Sequence, residues 1–213
     1  MRLITSLIIL VILVSACRQK TRIPDNFDYG KVENGVYTNR YFNFELPVPK
    51  NWDIQNKQQM EELTKLGREV IGEKNKELAS QLKASEVNSA SLLTVFKNPV
   101  DSVTGEFNPS FSLAAENLAR FPNLSTGQKY LEQTKTLMKK SGLTYSFGEI
   151  RKEKLGNREF ERMDVVMTVR GVDVHQSYYV TIDKQFALCV VLSAVDDEQK
   201  ESLKEIVGRI KFM

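Results

Sequence analysis

Few residues of this chain carry reactive chemistry, because it contains only two cysteines and one histidine. One cysteine, Cys17, follows an apolar run over residues 7–14 and the small pair Ser15-Ala16. A basic Arg2, a short apolar segment and small residues are typical of a cleavable secretion signal. The apolar run is too short for a membrane-spanning helix, which needs about 20 apolar residues. Cys17 is therefore the first candidate for covalent chemistry.

The tetrapeptide Val14-Ser15-Ala16-Cys17 resembles the lipobox of bacterial lipoproteins. In those proteins the cysteine sulfur is acylated before the signal is cleaved. The resemblance implies that residues 1–16 are a signal peptide and that Cys17 becomes a lipidated N-terminus. Two or more acyl chains anchor a protein stably, since each buried CH₂ contributes about 0.8 kcal/mol. The alternative is an ordinary secretion signal in which the cysteine is incidental.

The residue after the cysteine bears on the destination membrane. In diderm bacteria an aspartate there retains a lipoprotein in the inner membrane, whereas this chain has Arg18. The resemblance therefore implies a lipid-anchored protein of the cell envelope, with the outer membrane facing the periplasm as the expected location. Residues 17–34 are polar and aperiodic and predict a flexible tether. Residues 35–213 are enough for a single folded domain.

Charge and motifs exclude several classes of function. The net charge is only +3, and 30 basic residues are interleaved with 27 acidic ones. This balance argues against a nucleic-acid partner. Asp101 and Glu106 lie in a polar loop but lack the further oxygen ligands of a calcium loop. The sequence also lacks the Gly-x-Ser-x-Gly, Cys-x-x-Cys and His-x-x-x-His motifs, so it predicts no catalytic residue, no metal site and no cofactor.

The second cysteine and the histidine both fall on predicted strands. Cys189 lies in the run Phe186–Leu192, which is apolar on both faces and predicts a strand in the middle of a sheet. A cysteine there behaves as a small hydrophobic residue, and a nucleophilic role would require access that the strand denies. His175 is flanked by Val174 and Gln176 and has no partner of catalytic or zinc-site spacing. We therefore expect a histidine that lies on the surface of a strand or has its hydrogen bonds partly satisfied.

Periodicity predicts the other elements. Alternating residues from Tyr37 to Leu46 predict a strand ended by Pro47, and helical spacing from Asn56 to about Lys83 predicts a long helix that Gly67 or Gly72 would bend or break. The remaining predicted elements are strands over Ala90–Lys97 and Pro109–Asn117, a helix from Ser125 to Gly142, strands over Leu143–Ile150, Phe160–Arg170, Val174–Ile182 and Phe186–Ala194, and a last helix capped by Asp196. The short turns between the last strands require antiparallel neighbours.

Both ends of the predicted domain resemble the PsbP-like domains, a family that includes DcrB-type and LpqN-type bacterial lipoproteins. The first likeness is an aromatic-rich strand, Pro47, a short turn and Trp52. The second is a buried strand, the Asp196 cap, an amphipathic helix and the closing Ile210-Lys211-Phe212. The resemblance implies an α+β fold, in which a central antiparallel sheet of about six to eight strands is covered by two or three α-helices.

The family resemblance carries no catalytic motif, so two classes of function remain. The first is a non-catalytic binding or accessory module for another envelope component, held at the membrane by acyl chains and contacting a protein partner. Trp52 and His175 are candidates for the ligand or partner surface, although a lone tryptophan is also an ordinary core residue. The alternative is an envelope hydrolase or small-ligand carrier whose site is assembled from dispersed residues. A deep, polar-lined pocket around Trp52 or His175 would favour this second class.

Overall fold

The structure is a computed structural model that describes residues 22–100, 106–169 and 171–213. The predicted signal peptide, Cys17 and most of the loop that contains Asp101 lie outside the described residues. In chain order the elements are β1 (Lys31–Glu33), β2 (Val36–Asn39), β3 (Phe44–Pro47), β4 (Asp53–Ile54), α1 (Lys57–Lys74), α2 (Lys76–Ser85), β5 (Ser89–Phe96), β6 (Ser110–Asn117), α3 (Gly127–Lys140), β7 (Thr144–Phe147), β8 (Arg151–Leu155), β9 (Arg158–Val169), β10 (Val172–Asp183), β11 (Phe186–Ala194), α4 (Asp197–Gly208) and β12 (Lys211–Phe212).

An eight-stranded antiparallel sheet forms the centre of the fold, as the sequence predicted. Its order is β4-β5-β6-β11-β10-β9-β7. The eighth strand, β8, also pairs with β9, next to the part of β9 that pairs with β7. Strand β11 lies between β6 and β10, and every one of its residues is buried. This confirms the central position inferred from its continuous apolar run. A second sheet, with the order β1-β2-β3-β12, was not predicted.

Each face of the large sheet has its own core. One core joins the sheet to α4 and the four-stranded sheet through residues such as Phe44, Val190 and Leu203. The other joins it to α3 and to the α1–α2 pair through residues such as Ile71 and Leu131. Successive residues of the central strand, β11, point to opposite faces of the sheet, and all of them can be apolar because both faces are covered.

The long helix predicted from Asn56 to Lys83 is two helices that meet at Asn75. The backbone of Asn75 is extended (φ −146°, ψ 92°), which ends α1, and its N–H donates the last hydrogen bond of that helix to the Ile71 carbonyl. The Asn75 side chain accepts a hydrogen bond from the Leu78 N–H and thereby caps the N-terminus of α2. The break therefore comes from a capping asparagine and not from Gly67 or Gly72. As a result the described chain has four α-helices, where two or three were predicted.

The single strand predicted from Tyr37 to Leu46 is a hairpin, β2 and β3. Its turn forms because the Asn39 side chain accepts a hydrogen bond from the Phe42 N–H at 2.9 Å, and because Asn43 adopts a positive φ of 55°. Asparagine tolerates this left-handed conformation better than most residues. Phe42 is buried within the turn. The alternation of buried and exposed side chains therefore continues through the turn, which is why the sequence predicted a single strand.

The predicted tether through residue 34 differs from the structure from Arg22 onward. Phe27 is only 6% exposed and packs among aromatic rings, with centroid distances of 4.5 Å to Tyr41 and 5.4 Å to Phe186. The Ile23 N–H also donates to the Val87 carbonyl at 3.3 Å. These contacts are distant in sequence, so a local reading of polar composition could not find them. Only residues 18–21 separate Cys17 from the described body.

Candidate functional site

A cleft of about 850 Å³ lies between α1 and the outer strands β5 and β6. It forms because α1 is held by its C-terminal half: Gly67 and Ile71 are the only buried residues of the helix, and residues 57–66 include none. The N-terminal half of α1 therefore stands over the sheet without close packing. Apolar side chains from three sides dominate the lining, among them Val32, Ile54, Met60, Leu63, Phe96 and Leu113.

The cleft follows the outer edge of β5. Strand β4 pairs only with Val95 and Phe96, so within the described chain the segment from Ser89 to Leu93 has no strand on its outer side. A register shift between Ser91 and Leu93 also marks a β-bulge in this segment. A bulge bends a strand and increases its local twist, which discourages edge pairing. The short β4 and this bulge together leave room for the cleft.

A buried hydroxyl group lines the apolar cleft. Ser112 is 3% exposed, and its Oγ has no hydrogen-bond partner among the described residues. Its cross-strand neighbour Thr94 is also buried and also lines the cleft. An unsatisfied buried hydroxyl costs about 1–3 kcal/mol. The Oγ atom itself has almost no accessible surface, so the cleft does not expose it.

Charged side chains stand at the rim of the cleft. Lys57 and Lys65 lie on α1 and are highly exposed, each within 4 Å of a glutamate one turn along the helix. Arg68 is largely buried and forms an ion pair with Glu86, in the short 3-10 turn before β5. This pair fastens the middle of α1 to the start of β5. The cleft therefore combines an apolar interior with a charged rim.

The two residues predicted to form a ligand or partner surface lie outside this cleft. Trp52 is half-buried, with its ring centroid 6.0 Å from that of Phe111, beside a niche of about 50 Å³ that Gln199 of α4 also lines. His175 is half-buried on β10, opposite Ala194 of β11. Neither residue lines the large cleft. Sequence reasoning therefore missed the cleft, which no local motif could indicate.

His175 and Trp52 lie near the first turn of α4. The pKa of Asp197, in that turn, is below its usual range because Lys200 donates a hydrogen bond to it at 2.8 Å and the charge of His175 contributes further. Trp52 adjoins the same helix through Gln199 and Ser202. The side chain of Asp196 caps the helix by accepting from the Gln199 N–H, as predicted. The niche on this surface is small, with a volume of about 50 Å³.

Cys189 is sealed inside the sheet. It is 3% exposed, and burial, together with the nearby charge of Glu116, raises the pKa of its thiol to about 12. Tyr130 of α3 donates a hydrogen bond to Glu116 at 2.7 Å, and both side chains are buried. A thiol with so high a pKa is protonated at neutral pH, and Cys189 lines neither the cleft nor the niche beside Trp52. The predicted burial of Cys189 is confirmed.

An ionic network joins α4 to the sheet. The Arg162 guanidinium lies 2.8 Å from a Glu153 carboxylate oxygen and 2.7 Å from Asp164, and Lys204 of α4 reaches Glu153 at 3.3 Å. Partial burial alone would raise the pKa of Asp164, but hydrogen bonds from Ser177 and Arg162 outweigh it and hold this pKa below its usual range. Glu153 behaves in the same way.

This network makes stability depend on pH in a definite direction. A carboxylate whose folded pKa is depressed contributes stability above its unfolded pKa of about 3.9, and that contribution is lost as pH falls through the folded pKa. We expect Asp164→Asn to cost about 0.5–1 kcal/mol at pH 7, a small value because solvent screens the pair. The cost should shrink toward zero near pH 2. Urea denaturation at a series of pH values measures both, with exposed Asp25→Asn as the control. An equal cost at both extremes of pH would contradict the assignment.

Within residues 22–100, 106–169 and 171–213, no group of three or more histidine, cysteine, aspartate or glutamate side chains is arranged to hold a metal ion. In the same ranges no helix has the length and apolar character to cross a membrane. Neither result bears on the residues outside those ranges.

Comparison with known proteins identifies the fold. No family model matches the chain, and no curated protein matches it in sequence. Among solved structures, cyanobacterial PsbP (CyanoP) from Synechocystis superposes with a TM-score of 0.52 at 11% identity, covering 86% of this chain and 96% of that one. This likeness shows the fold alone and confirms the predicted PsbP-like α+β architecture.

Two further structures are similar at lower scores. LpqN of Mycobacterium tuberculosis, described as involved in cell envelope biogenesis, has a TM-score of 0.43 and 15% identity, with 79% of this chain and 82% of LpqN covered. A protein from Bacteroides thetaiotaomicron has a TM-score of 0.42 and 10% identity over 80% of this chain and 45% of its own.

Proposed function

We propose that this PsbP-like chain is a lipid-anchored, non-catalytic binding module of the cell envelope, and that it binds an apolar ligand in the cleft between α1 and β5–β6. The cleft is the observation that carries the proposal. Its volume of about 850 Å³ lies within the range of small-molecule sites, about 300–1,000 Å³. Its lining is mostly apolar, with charged side chains at the rim.

Binding, not hydrolysis, is the role that this site supports. No cysteine or histidine is among the described residues that line the cleft, and its two glutamates are in ion pairs, Glu61 with Lys57 and Glu86 with Arg68. Hydrolysis would need a nucleophile and a base within hydrogen-bond reach of each other and of the ligand. Of the two roles in the alternative class, the small-ligand carrier is therefore the one that the cleft favours.

The envelope location rests on the sequence. The lipobox-like Val14-Ser15-Ala16-Cys17 supports acylation of Cys17, and Arg18 supports the outer membrane facing the periplasm. A protein partner of the envelope is part of the same proposal, with the surface around Trp52 and His175 as its contact. Pull-down of the lipidated protein, compared with a Trp52→Ala variant, would test that contact, and recovery of no reproducible partner would count against it.

The ligand site is tested with the neutral apolar dye 1-N-phenylnaphthylamine. The chain from residue 17 onward, carrying Cys17→Ser, should bind one dye molecule with a rise in fluorescence. Leu63→Trp should weaken this binding at least tenfold, because Leu63 lines the cleft and the larger ring fills it. A tenfold loss corresponds to about 1.4 kcal/mol.

Leu66→Trp is the matched control for this measurement. Leu66 lies on the same helix three residues later, is 41% exposed and does not line the cleft. It should bind the dye like the unsubstituted chain. Failure of the unsubstituted chain to bind, or equal binding by all three proteins, would overturn the proposal.

A further inference from the structure

We infer that the ligand of the cleft is an acyl chain of a membrane glycerophospholipid, taken up at the surface of the bilayer that anchors the protein. This inference rests on the proposed function, since it names the ligand of the same cleft. Four observations support it: the place where the chain enters the body, the length of the remaining linker, the exposed apolar side chains and the charges beside them.

The chain enters the folded body next to the cleft. The Arg22 carbonyl accepts a hydrogen bond from the Asn117 side chain at 3.1 Å, and the Ile23 N–H donates to the Val87 carbonyl at 3.3 Å. Val87 lies between Glu86 and Ser89 in sequence, and both of these residues line the cleft. The anchored end of the body is therefore the end at which the cleft lies.

The linker is too short to let the body move far from the bilayer. Cys17 and Arg22 are five residues apart, and a fully extended chain spans at most about 3.6 Å per residue. A lipidated Cys17 would thus hold Arg22 within about 18 Å of the membrane surface. A tether through residue 34 would have allowed roughly three times that distance. The docking of residues 22–34 onto the body is what brings the cleft to the membrane.

Exposed apolar side chains gather on the same side of the body. Large hydrophobic residues are exposed at only six described positions, and three of these are in or beside the cleft. Tyr29 and Ile54 line it, and Val87 adjoins the point of chain entry. Clustered exposed apolar groups mark interaction sites, and tyrosine is favoured at membrane interfaces. These residues suit contact with lipid.

Basic side chains stand at the rim of the cleft. Lys57 and Lys65 are exposed there, each beside a glutamate one turn along α1, and Arg18, Lys20 and Arg22 follow the anchoring cysteine in sequence. Basic residues close to a bilayer are attracted to anionic headgroups. An acyl chain would then occupy the apolar interior, with the phosphate at the charged rim. The own acyl chains of Cys17 are the competing occupant.

The experiment uses the chain from residue 17 onward with Cys17→Ser, so that no acyl chain of its own can fill the cleft. After incubation with vesicles of phosphatidylglycerol and phosphatidylethanolamine and removal of the vesicles, native mass spectrometry should detect one bound phospholipid per chain. Leu63→Trp should reduce the bound fraction at least tenfold, and Leu66→Trp should leave it unchanged. Binding of lysophosphatidylglycerol should tighten roughly tenfold for every two CH₂ groups added, until the cleft is full.

The outcomes separate this inference from the proposed function. Dye binding without any phospholipid adduct, or affinity that does not change with chain length, would overturn the inference and leave an apolar-ligand site standing. Adducts with free fatty acid but not with phospholipid would also overturn it, because the source would then not be the bilayer lipid. Failure of the chain without the Leu63 or Leu66 substitution to bind the dye would overturn both the inference and the proposed function.

Discussion

Replacement of Cys17 by serine is expected to abolish the incorporation of radiolabelled palmitate and to move the protein from the membrane fraction to the soluble fraction. A serine hydroxyl cannot form the thioether that the lipobox resemblance implies, so every acyl chain would be lost. Each buried CH₂ contributes about 0.8 kcal/mol, and two or more chains therefore account for essentially all of the membrane affinity. Autoradiography and membrane fractionation measure the two effects.

The matched control for this experiment is Cys189→Ser. It removes the other cysteine of the chain by the same substitution, and because Cys189 is buried in β11 it should leave labelling intact. Separation of the membranes by density tests the second half of the assignment, which expects the outer membrane. Palmitate that persists in Cys17→Ser would show that this cysteine is not the site of acylation.

Gly156→Ala is expected to destabilise the fold by about 3 kcal/mol or more. Gly156 lies in the turn between β8 and β9 with φ of +60°, a conformation in which side chains are strained. A Cβ at this position would also overlap the backbone carbonyl oxygen of Ile210, which has no freedom to move aside. The neighbouring Asn157 binds β12 on both sides, donating to the Phe212 carbonyl at 2.8 Å and accepting from its N–H at 2.9 Å.

Gly171→Ala separates the two causes of this loss. Gly171 also has a positive φ, of 81°, but a Cβ there would meet no atom within 4 Å. It should therefore cost only about 1 kcal/mol, the strain of the left-handed conformation. Urea denaturation of both variants measures the difference. If both variants lost the same free energy of unfolding, the turn would not press against Ile210. The contact between this turn and β12 would then be weaker than the structure indicates.

Elements whose signals are local could be predicted from sequence. The Asp196 cap and an apolar stripe predict the last helix, and a continuous apolar run predicts β11. Both patterns are formed by residues that are close together in sequence. Strand β8 could not be found in this way. Its sequence, Arg-Lys-Glu-Lys-Leu, is mostly charged, and it is a strand because its backbone pairs with β9, from Arg151 opposite Arg162 to Leu155 opposite Arg158.

The candidate site was beyond sequence reasoning for a related reason. Trp52 and His175 were singled out because each is rare, yet rarity does not say which surfaces meet. The cleft arises from an imbalance in packing, since α1 buries Ile71 at one end and leaves Leu63 over open space at the other. Leu63 and Ile71 belong to the same apolar stripe of α1, so the sequence pattern treats them alike. Only the position of the helix axis relative to β5 determines that Ile71 is buried and that Leu63 lines the cleft.

The sequence by itself determined the lipobox-like start, the antiparallel order of the last strands and the identity of the central strand, since each depends on residues that are adjacent or one turn apart. Tertiary structure alone decided that Phe27 docks among aromatic side chains from Tyr41 and Phe186, and that residues 22–34 belong to the body. Such contacts join residues 14 apart (Phe27 and Tyr41) and 159 apart (Phe27 and Phe186), and their stability comes from burying apolar surface, which no local pattern records.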